Sequence, residues 1–421
     1  MDDAFNLESD KSGAPSGYGP FLPMGSADAK PLRQQIFEHV RAAGRAARTD
    51  VIRALGISAG SATTLTADLI SNDLLREVVG LARESGRGRP PVALEVVPEG
   101  RHVIGIKLSD ENHSAVLTDF SGHMLANATF PTTSTPKSLG ALMEEIDALM
   151  DLTLADTGKS LADISAVGIG MSGIVDNETG MVPWSPLLSE RDSDISNAFV
   201  ERFGVPVHVD NDANMLTLAE LWFGAGRSMS DFAVVTIEHG VGMGLVLDNQ
   251  LFRGSRGMGL ELGHTKVQLD GALCRCGQRG CLEAYLADYA LAREAGTALH
   301  LNLGNLQSPK AMLNALFTQA KSGNEAARTI FRRAGRYLSV GLSNVIQIFD
   351  PELIILSGER MQYDYLYADE VLAEMHKLTL EDGRSPCRIE IHAWGDMVWA
   401  RGATALALTA VTDAALGETR T

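Results

Sequence analysis

The chain has 421 residues, 45% apolar and 21% charged, which excludes a disordered protein and predicts two to four domains. No apolar run approaches the ~18 residues of a membrane helix, and the acidic start Met1-Asp2-Asp3 lacks a signal's apolar stretch, so a cytoplasmic protein with no membrane partner is expected. The net charge of −17 speaks against nucleic acid until it is divided: residues 1–29 carry −4, residues 30–95 carry +3 and residues 96–421 carry −16.

A slightly basic head on an acidic body fits a small DNA-binding module joined to a ligand-binding one, although a solvated surface gives the same numbers. Residues 1–29, rich in Gly, Ser, Pro and Asp without an apolar period, read as a flexible tail. Residues 30–97 read as the head. Leu32, Ile36, Phe37 and Val40 share one face of a helix that Gly44 ends. Thr49 is the expected cap of a short second helix, Gly56 breaks the chain, and Ile57 is the expected buried pivot. Ser58 caps a third helix with apolar positions Ala62, Leu65, Leu69 and Ile70. Two helices joined through a short Gly-containing turn make a helix-turn-helix.

On the third helix, Ser58, Ser61, Thr63 and Thr64 are candidate DNA contacts, because small hydroxyl side chains allow close approach, phosphate hydrogen bonds and thymine-methyl contact. A small helical bundle with a Ser/Thr-rich face is the plainer alternative. The strand pair expected at 74–79 and 92–97 favours DNA. Between its strands lies Gly86-Arg87-Gly88-Arg89-Pro90, a slender tip whose Arg87 and Arg89 suit a narrow minor groove, as in a winged helix.

The body predicts lobe 1 over 98–225, rejoined by a C-terminal helix at 398–416, and lobe 2 over 226–397. Strands at 103–108 and 114–119 are echoed at 232–237 and 244–247, about 130 residues on, which suggests a duplicated α/β domain of the actin and hexokinase-like (ribonuclease H-like) layout. Further strands are expected at 164–169 and 207–210, with helices at 139–152 and 213–223.

The strongest chemical signal is Cys274-Arg275-Cys276-Gly277-Gln278-Arg279-Gly280-Cys281-Leu282-Glu283. Three thiols in a Gly-punctuated loop can converge on one cation, with His264 the nearest candidate for a fourth ligand; free buried cysteines are the plainer alternative. A Cys3His set has no open position, so the expected ion is a structural Zn²⁺. The fourth cysteine, Cys387, stands alone.

Glu261-Leu262-Gly263-His264 followed by this cysteine motif resembles the signature of the ROK family (repressors, open reading frames and sugar kinases). Gly168-Ile169-Gly170 through Asp176, Asn211-Asp212-Ala213-Asn214 and Asp350-Pro351-Glu352 also match, and the resemblance runs from about residue 31 to 412. A winged head before a ROK body marks the repressor branch. The resemblance implies that Asn211, Asp212, Glu261, His264 and Glu283 line a sugar cleft between the lobes, with His264 serving metal and effector at once. It places Asp212 at the kinase general-base position.

Two departures qualify this. Ser185-Pro186-Leu187-Leu188 carries Leu187 where members commonly have a sugar-contacting Asn, which points to an effector that lacks that hydroxyl, is substituted there, or is not a plain hexose. The kinase phosphate turn is Lys107-Leu108-Ser109-Asp110-Glu111, without its glycines and with two carboxylates where triphosphate would sit. The second turn, Glu238-His239-Gly240-Val241-Gly242, also gains an acid. ATP is therefore not expected, and Asp212 is expected to be non-catalytic. The leading reading is a DNA-binding repressor of carbohydrate genes, a homodimer or homotetramer bound to a double-stranded operator and controlled by a sugar or sugar derivative. The alternative is an ATP-dependent sugar kinase with a regulatory DNA-binding head.

Overall fold

The computed structural model describes residues 17–21, 30–79, 92–255, 257–298, 309–364, 369–380, 386–395 and 397–417. The chain divides into two units. The first comprises residues 1–230, 248–251 and 395–421, and the second residues 231–247 and 252–394.

The first unit opens with α1 (Leu32–Ala43), β1 (Ala46–Ala47), α2 (Arg48–Leu55), α3 (Ala59–Ser71), β2 (Leu75–Val79) and β3 (Val92–Val96). Ile36, Phe37 and Val40 of α1 are fully buried, and Gly44 ends the helix at φ 71°. Ser58 caps α3 by accepting from Ser61 N at 3.0 Å. β3 pairs antiparallel with both β1 and β2. Thr49 does not cap α2: the helix starts one residue earlier, behind Ala47, which has no side-chain oxygen to offer. Ile57 is half-buried, and the buried face of α3 is Ala62, Thr66 and Leu69. Thr66 tolerates burial because its hydroxyl accepts from Arg48 Nε at 3.0 Å. The tip at 80–91, with Arg87 and Arg89, lies outside the described residues.

The same unit continues with β4 (His102–Leu108), β5 (Asn112–Asp119), β6 (Met124–Pro131), α4 (Leu139–Leu154), β7 (Ile164–Met171), β8 (Ile174–Asp176), β9 (Met181–Trp184), β10 (Ser193–Asp194), α5 (Ile195–Phe203), β11 (Val207–Asn211) and α6 (Asp212–Phe223). Its main sheet runs β11-β7-β4-β5-β6: a three-stranded meander extended by two parallel strands.

The second unit holds β12 (Phe232–Ile237), β13 (Val241–Leu247), α7 (Glu283–Leu286), α8 (Asp288–Ala298), α9 (Pro309–Lys321), α10 (Glu325–Phe349), β15 (Leu353–Ser357), α11 (Asp369–Leu378) and β16 (Arg388–His392), with β14 (Gln250–Phe252) at the boundary. The sheet β14-β13-β12-β15-β16 repeats the first sheet's order, meander and parallel extension alike. That is the duplication expected from the repeated strand pattern.

The chain returns to the first unit as α12 (Met397–Leu416), which packs on β4, β7 and α6. Residues 17–21, expected to belong to a flexible tail, are instead packed within this unit, with Gly17 and Gly19 buried. Among the described residues no helix is long and apolar enough to cross a membrane.

Candidate functional site

The expected ligand residues fall on both units. In the first, β11 delivers Asn211 and Asp212 to the start of α6. Asn211 caps that helix, its Oδ1 accepting from Ala213 N at 2.9 Å while its Nδ2 donates to Gly173 O at 2.9 Å. Much of its hydrogen-bonding capacity therefore holds the 171–173 turn to α6. Asp212 Oδ1 accepts from Ala213 N at 2.9 Å, and its Oδ2 accepts from Ser172 Oγ at 2.6 Å. That hydroxyl takes one of the carboxylate's lone pairs and leaves others open to accept. Ser172 escaped the sequence reading; its place in the Gly-rich turn facing Asn-Asp was the available clue. Leu187 is half-buried against the first unit's core, and its N–H donates to Ser185 Oγ at 3.2 Å.

The turn at 109–111 is closed by its own side chains. Ser109 Oγ donates to Asn112 O at 2.7 Å, and Ser109 N–H donates to His113 Nδ1 at 3.2 Å. The far nitrogen of the buried His113 lies 3.0 Å from Glu145 Oε2. Burial holds His113 below its ordinary value of 6.5. As pH falls through 6.5 the unfolded chain takes up a proton that the folded ring resists. His113 therefore contributes a loss of stability between 6.5 and its lower folded value. His39, His102 and His208 are lowered by burial in the same way. Urea midpoints of the wild type should fall over this window, and His113→Asn should flatten the fall; parallel profiles would refute the assignment.

In the second unit, His264, Cys274, Cys276 and Cys281 bring one ligand atom each within 4.8 Å of one another. His264 Nδ1 lies 3.7 Å from Cys274 Sγ, and Cys276 Sγ lies 3.7 Å from Cys281 Sγ. A tetrahedral zinc with bonds of about 2.3 Å to sulfur has edges of about 3.8 Å, so the donor set and its spacing fit that ion. Gly277 and Gly280 turn the loop at φ 85° and 75°. Lys266 Nζ donates to Cys281 Sγ at 2.9 Å and Tyr289 Oη to Cys274 Sγ at 3.4 Å; neither contact was read from the sequence, since loop spacing does not reveal them. Burial raises the Cys274 thiol above its ordinary value, so thiolate there calls for a cation.

Glu261 is exposed, with its Oε2 3.9 Å from His264 Nε2, the nitrogen turned away from Cys274. Leu260 before it sits at φ 67°, a costly backbone for a branched side chain and a mark of constraint beside the site. Glu283 is buried. Its Oε1 lies 3.3 Å from Tyr289 Oη and 3.5 Å from Cys274 Sγ, and its Oε2 accepts from Val241 N at 3.5 Å. Its observed contacts brace the metal loop and the 238–242 turn.

On α3, Ser58, Thr63 and Thr64 are exposed and Ser61 half-exposed. Thr63 Oγ1 donates to Ala59 O at 2.8 Å, and the Ser58 and Ser61 hydroxyls meet at 2.9 Å. The head's positive charge is largely matched internally. Arg45 and Arg76 pair with Glu95, Arg48 with Glu77 and Lys30 with Glu38.

The ROK family profile matches residues 103–410. The chain is 26% identical over 333 residues to a xylose repressor of Caldicellulosiruptor bescii, covering 77% of this chain and 82% of the relative. It is 28% identical over 329 residues to the DNA-binding transcriptional dual regulator NagC of Escherichia coli, covering 76% and 78%. Among solved structures, a ROK family transcriptional regulator homologous to the E. coli MLC protein has the same fold over 91% of this chain and 96% of its own, with TM-score 0.75 at 24% identity. A Streptomyces griseus ROK glucokinase, solved with glucose and AMPPNP, matches 72% of this chain and 98% of its own, with TM-score 0.60 at 28% identity. With the profile spanning both five-stranded sheets and the Cys/His loop, the chain belongs to the ROK family.

Proposed function

We infer that this chain is a transcriptional repressor of carbohydrate uptake or catabolism genes that reads a double-stranded operator and answers to a sugar or sugar derivative. The observation that carries the reading is the head, α1 to β3, standing before a sugar-kinase-like body. We read it as a winged helix-turn-helix with α3 as the recognition helix, using Ser58, Ser61, Thr63 and Thr64, and with Arg87 and Arg89 at the wing tip. Because the described head cations other than the buried Arg41 are paired with carboxylates, Arg87 and Arg89 carry much of the phosphate attraction. Operators read with two-fold symmetry call for a homodimer or homotetramer.

Asn211 and Asp212 of the first unit, and Glu261, His264 and Glu283 of the second, are each read as effector-binding residues that supply acceptors and donors to hydroxyls. His264, Cys274, Cys276 and Cys281 hold a structural Zn²⁺, which when bound cross-links the loop and offers no open coordination position. The reading includes loss of kinase activity. The Ser109 amide is committed to His113, two carboxylates stand in that turn, and Asp212 is held by Ser172. The kinase alternative keeps Asp212 as its favouring observation.

A thermal-shift screen of mono- and disaccharides and their derivatives, with ATP calorimetry alongside, tests the proposal. Selective stabilisation by a sugar with no ATP binding is expected. Sugar-dependent ATP consumption abolished by Asp212→Asn would replace this reading with the kinase.

A further inference from the structure

Residues Gly17-Tyr18-Gly19-Pro20-Phe21 tie the ends of two helices together. Tyr18 N donates to Arg41 O at 3.1 Å, in the last turn of α1. Gly19 N donates to Trp222 O at 3.0 Å, in the last turn of α6, and Phe21 N donates to Arg227 O at 2.9 Å just beyond it. Arg41 O, which also accepts from Gly44 N, and Trp222 O are acceptors at helix ends, so one short segment meets the end of both the head's first helix and the helix that begins at Asp212. The segment's sequence suits the task. A Cβ on Gly17 would meet Arg41 O at 2.0 Å, and Gly19 sits at φ 106°.

Three arginines close around it. Arg227 donates to Gly19 O at 3.0 Å and to Ala42 O at 2.8 Å, and lies over the Phe21 ring. Arg41, buried in α1, lies 4.4 Å from the Trp222 ring centroid and donates to Thr412 Oγ1 at 2.9 Å. Arg401 lies 4.2 Å from the Phe223 ring centroid and 5.9 Å from that of Tyr18, whose ring packs on Phe223 at 5.5 Å. Cations over aromatic faces are held more firmly where the site is desolvated. Burial brings Arg41 down to about 10, the cost of placing a guanidinium there. Meanwhile α1 is fastened to α12 by Gln34 Nε2 to Asp413 Oδ1 at 2.6 Å and Arg33 Nη2 to Ala415 O at 3.0 Å. Between the two ends, every α6 residue from Ala213 to Phe223 is buried, which leaves the helix little room to bend.

We propose that residues 17–21, with Arg41, Arg227 and Arg401, are positioning residues that lock the DNA-reading head to the far end of α6, so that a change sensed at Asp212 is passed to the head. This rests on the proposed repressor function and names the route by which its two sites communicate within the first unit. The strap's contacts do not include Asp212; its proposed role is in the coupling between that residue and the head.

The experiment compares the full chain, a deletion of residues 1–21 and the milder pair Tyr18→Ala with Phe21→Ala. Operator affinity is measured without sugar and with saturating D-xylose, N-acetylglucosamine or D-glucose, and sugar affinity is measured separately. The wild type should show a sugar-dependent change in operator affinity in the ordinary range of about 5- to 150-fold. Both strap variants should bind the same sugar within about two-fold of wild type while that change collapses toward one-fold, and Tyr18→Phe, which keeps the ring, should restore it. A strap variant with undiminished coupling overturns the strap alone. Operator binding indifferent to a sugar that the wild type does bind also overturns it. A wild type that binds DNA but none of the three sugars overturns the coupling, and one that binds no DNA overturns the repressor reading itself and the coupling with it.

Discussion

Replacing Cys281 with Ser is expected to strip the metal from the second unit and release the segment from His264 to Leu286. Cys281 and Cys274 are buried, while the loop between them has little regular structure of its own. Its backbone closure rests on a few bonds, among them Cys274 N to Gln278 O at 2.8 Å and Gly280 N to Ala272 O at 2.9 Å. A hydroxyl is a far weaker zinc ligand than a thiolate, and a three-ligand remainder binds poorly. The loop leads directly into Leu282, fully buried against Gly341 of α10, and into Glu283, so the damage reaches the core. A loss on the order of 3 kcal/mol or more is expected, smaller than in zinc fingers because a large apolar core remains. Metal analysis should fall from about one equivalent per chain to none. Amide exchange should accelerate over 264–286 and stay unchanged in the first unit. Cys387→Ser is the control, since burial pushes that thiol up to about 11 and it lies outside the cluster. A wild type without metal, or a Cys281→Ser protein that keeps it, would remove the site.

Gly402→Ala is expected to destabilise strongly although helix propensity argues the reverse. Ala in place of Gly within a helix ordinarily gains about 1 kcal/mol. Here a Cβ on Gly402 of α12 would stand 1.7 Å from Met215 O and 2.5 Å from Met215 C in α6. The obstacle is backbone, so no side chain can rotate away, and the two helices must part. Overpacking of this kind costs about 1–3 kcal/mol or more, enough to reverse the sign. The urea midpoint of the first unit should drop, and operator affinity should fall with it. An unchanged or higher midpoint would mean that α6 and α12 are not in backbone contact.

How much of this was legible in the sequence follows from the range of each interaction. The strands at 103–108 and 232–237 announce themselves because continuous apolar runs are local signals, and the structure extends them by at most one residue. The cysteine motif is equally local: Cys274, Cys276 and Cys281 lie within eight residues, and His264 is ten residues away. Residues 17–21 were not legible. A Gly-Pro-rich stretch has no period, and its partners Trp222 and Arg227 lie some two hundred residues on. Arg41 misled for the same reason. Counted as part of a basic head, it is buried over Trp222 and unavailable to phosphate. The resemblance implied that Asn211 and Glu283 line a sugar cleft; their observed hydrogen bonds run to the protein itself, a distinction only geometry makes.

The central claim is that a sugar-kinase-like body here serves a DNA-reading head. Selection of the purified full-length chain on a pool of random duplexes at moderate salt tests it most directly. The account predicts enrichment of an inverted repeat whose affinity weakens steeply with salt, with the salt slope reduced by the pair Arg87→Ala and Arg89→Ala. No enrichment above the starting pool would contradict it.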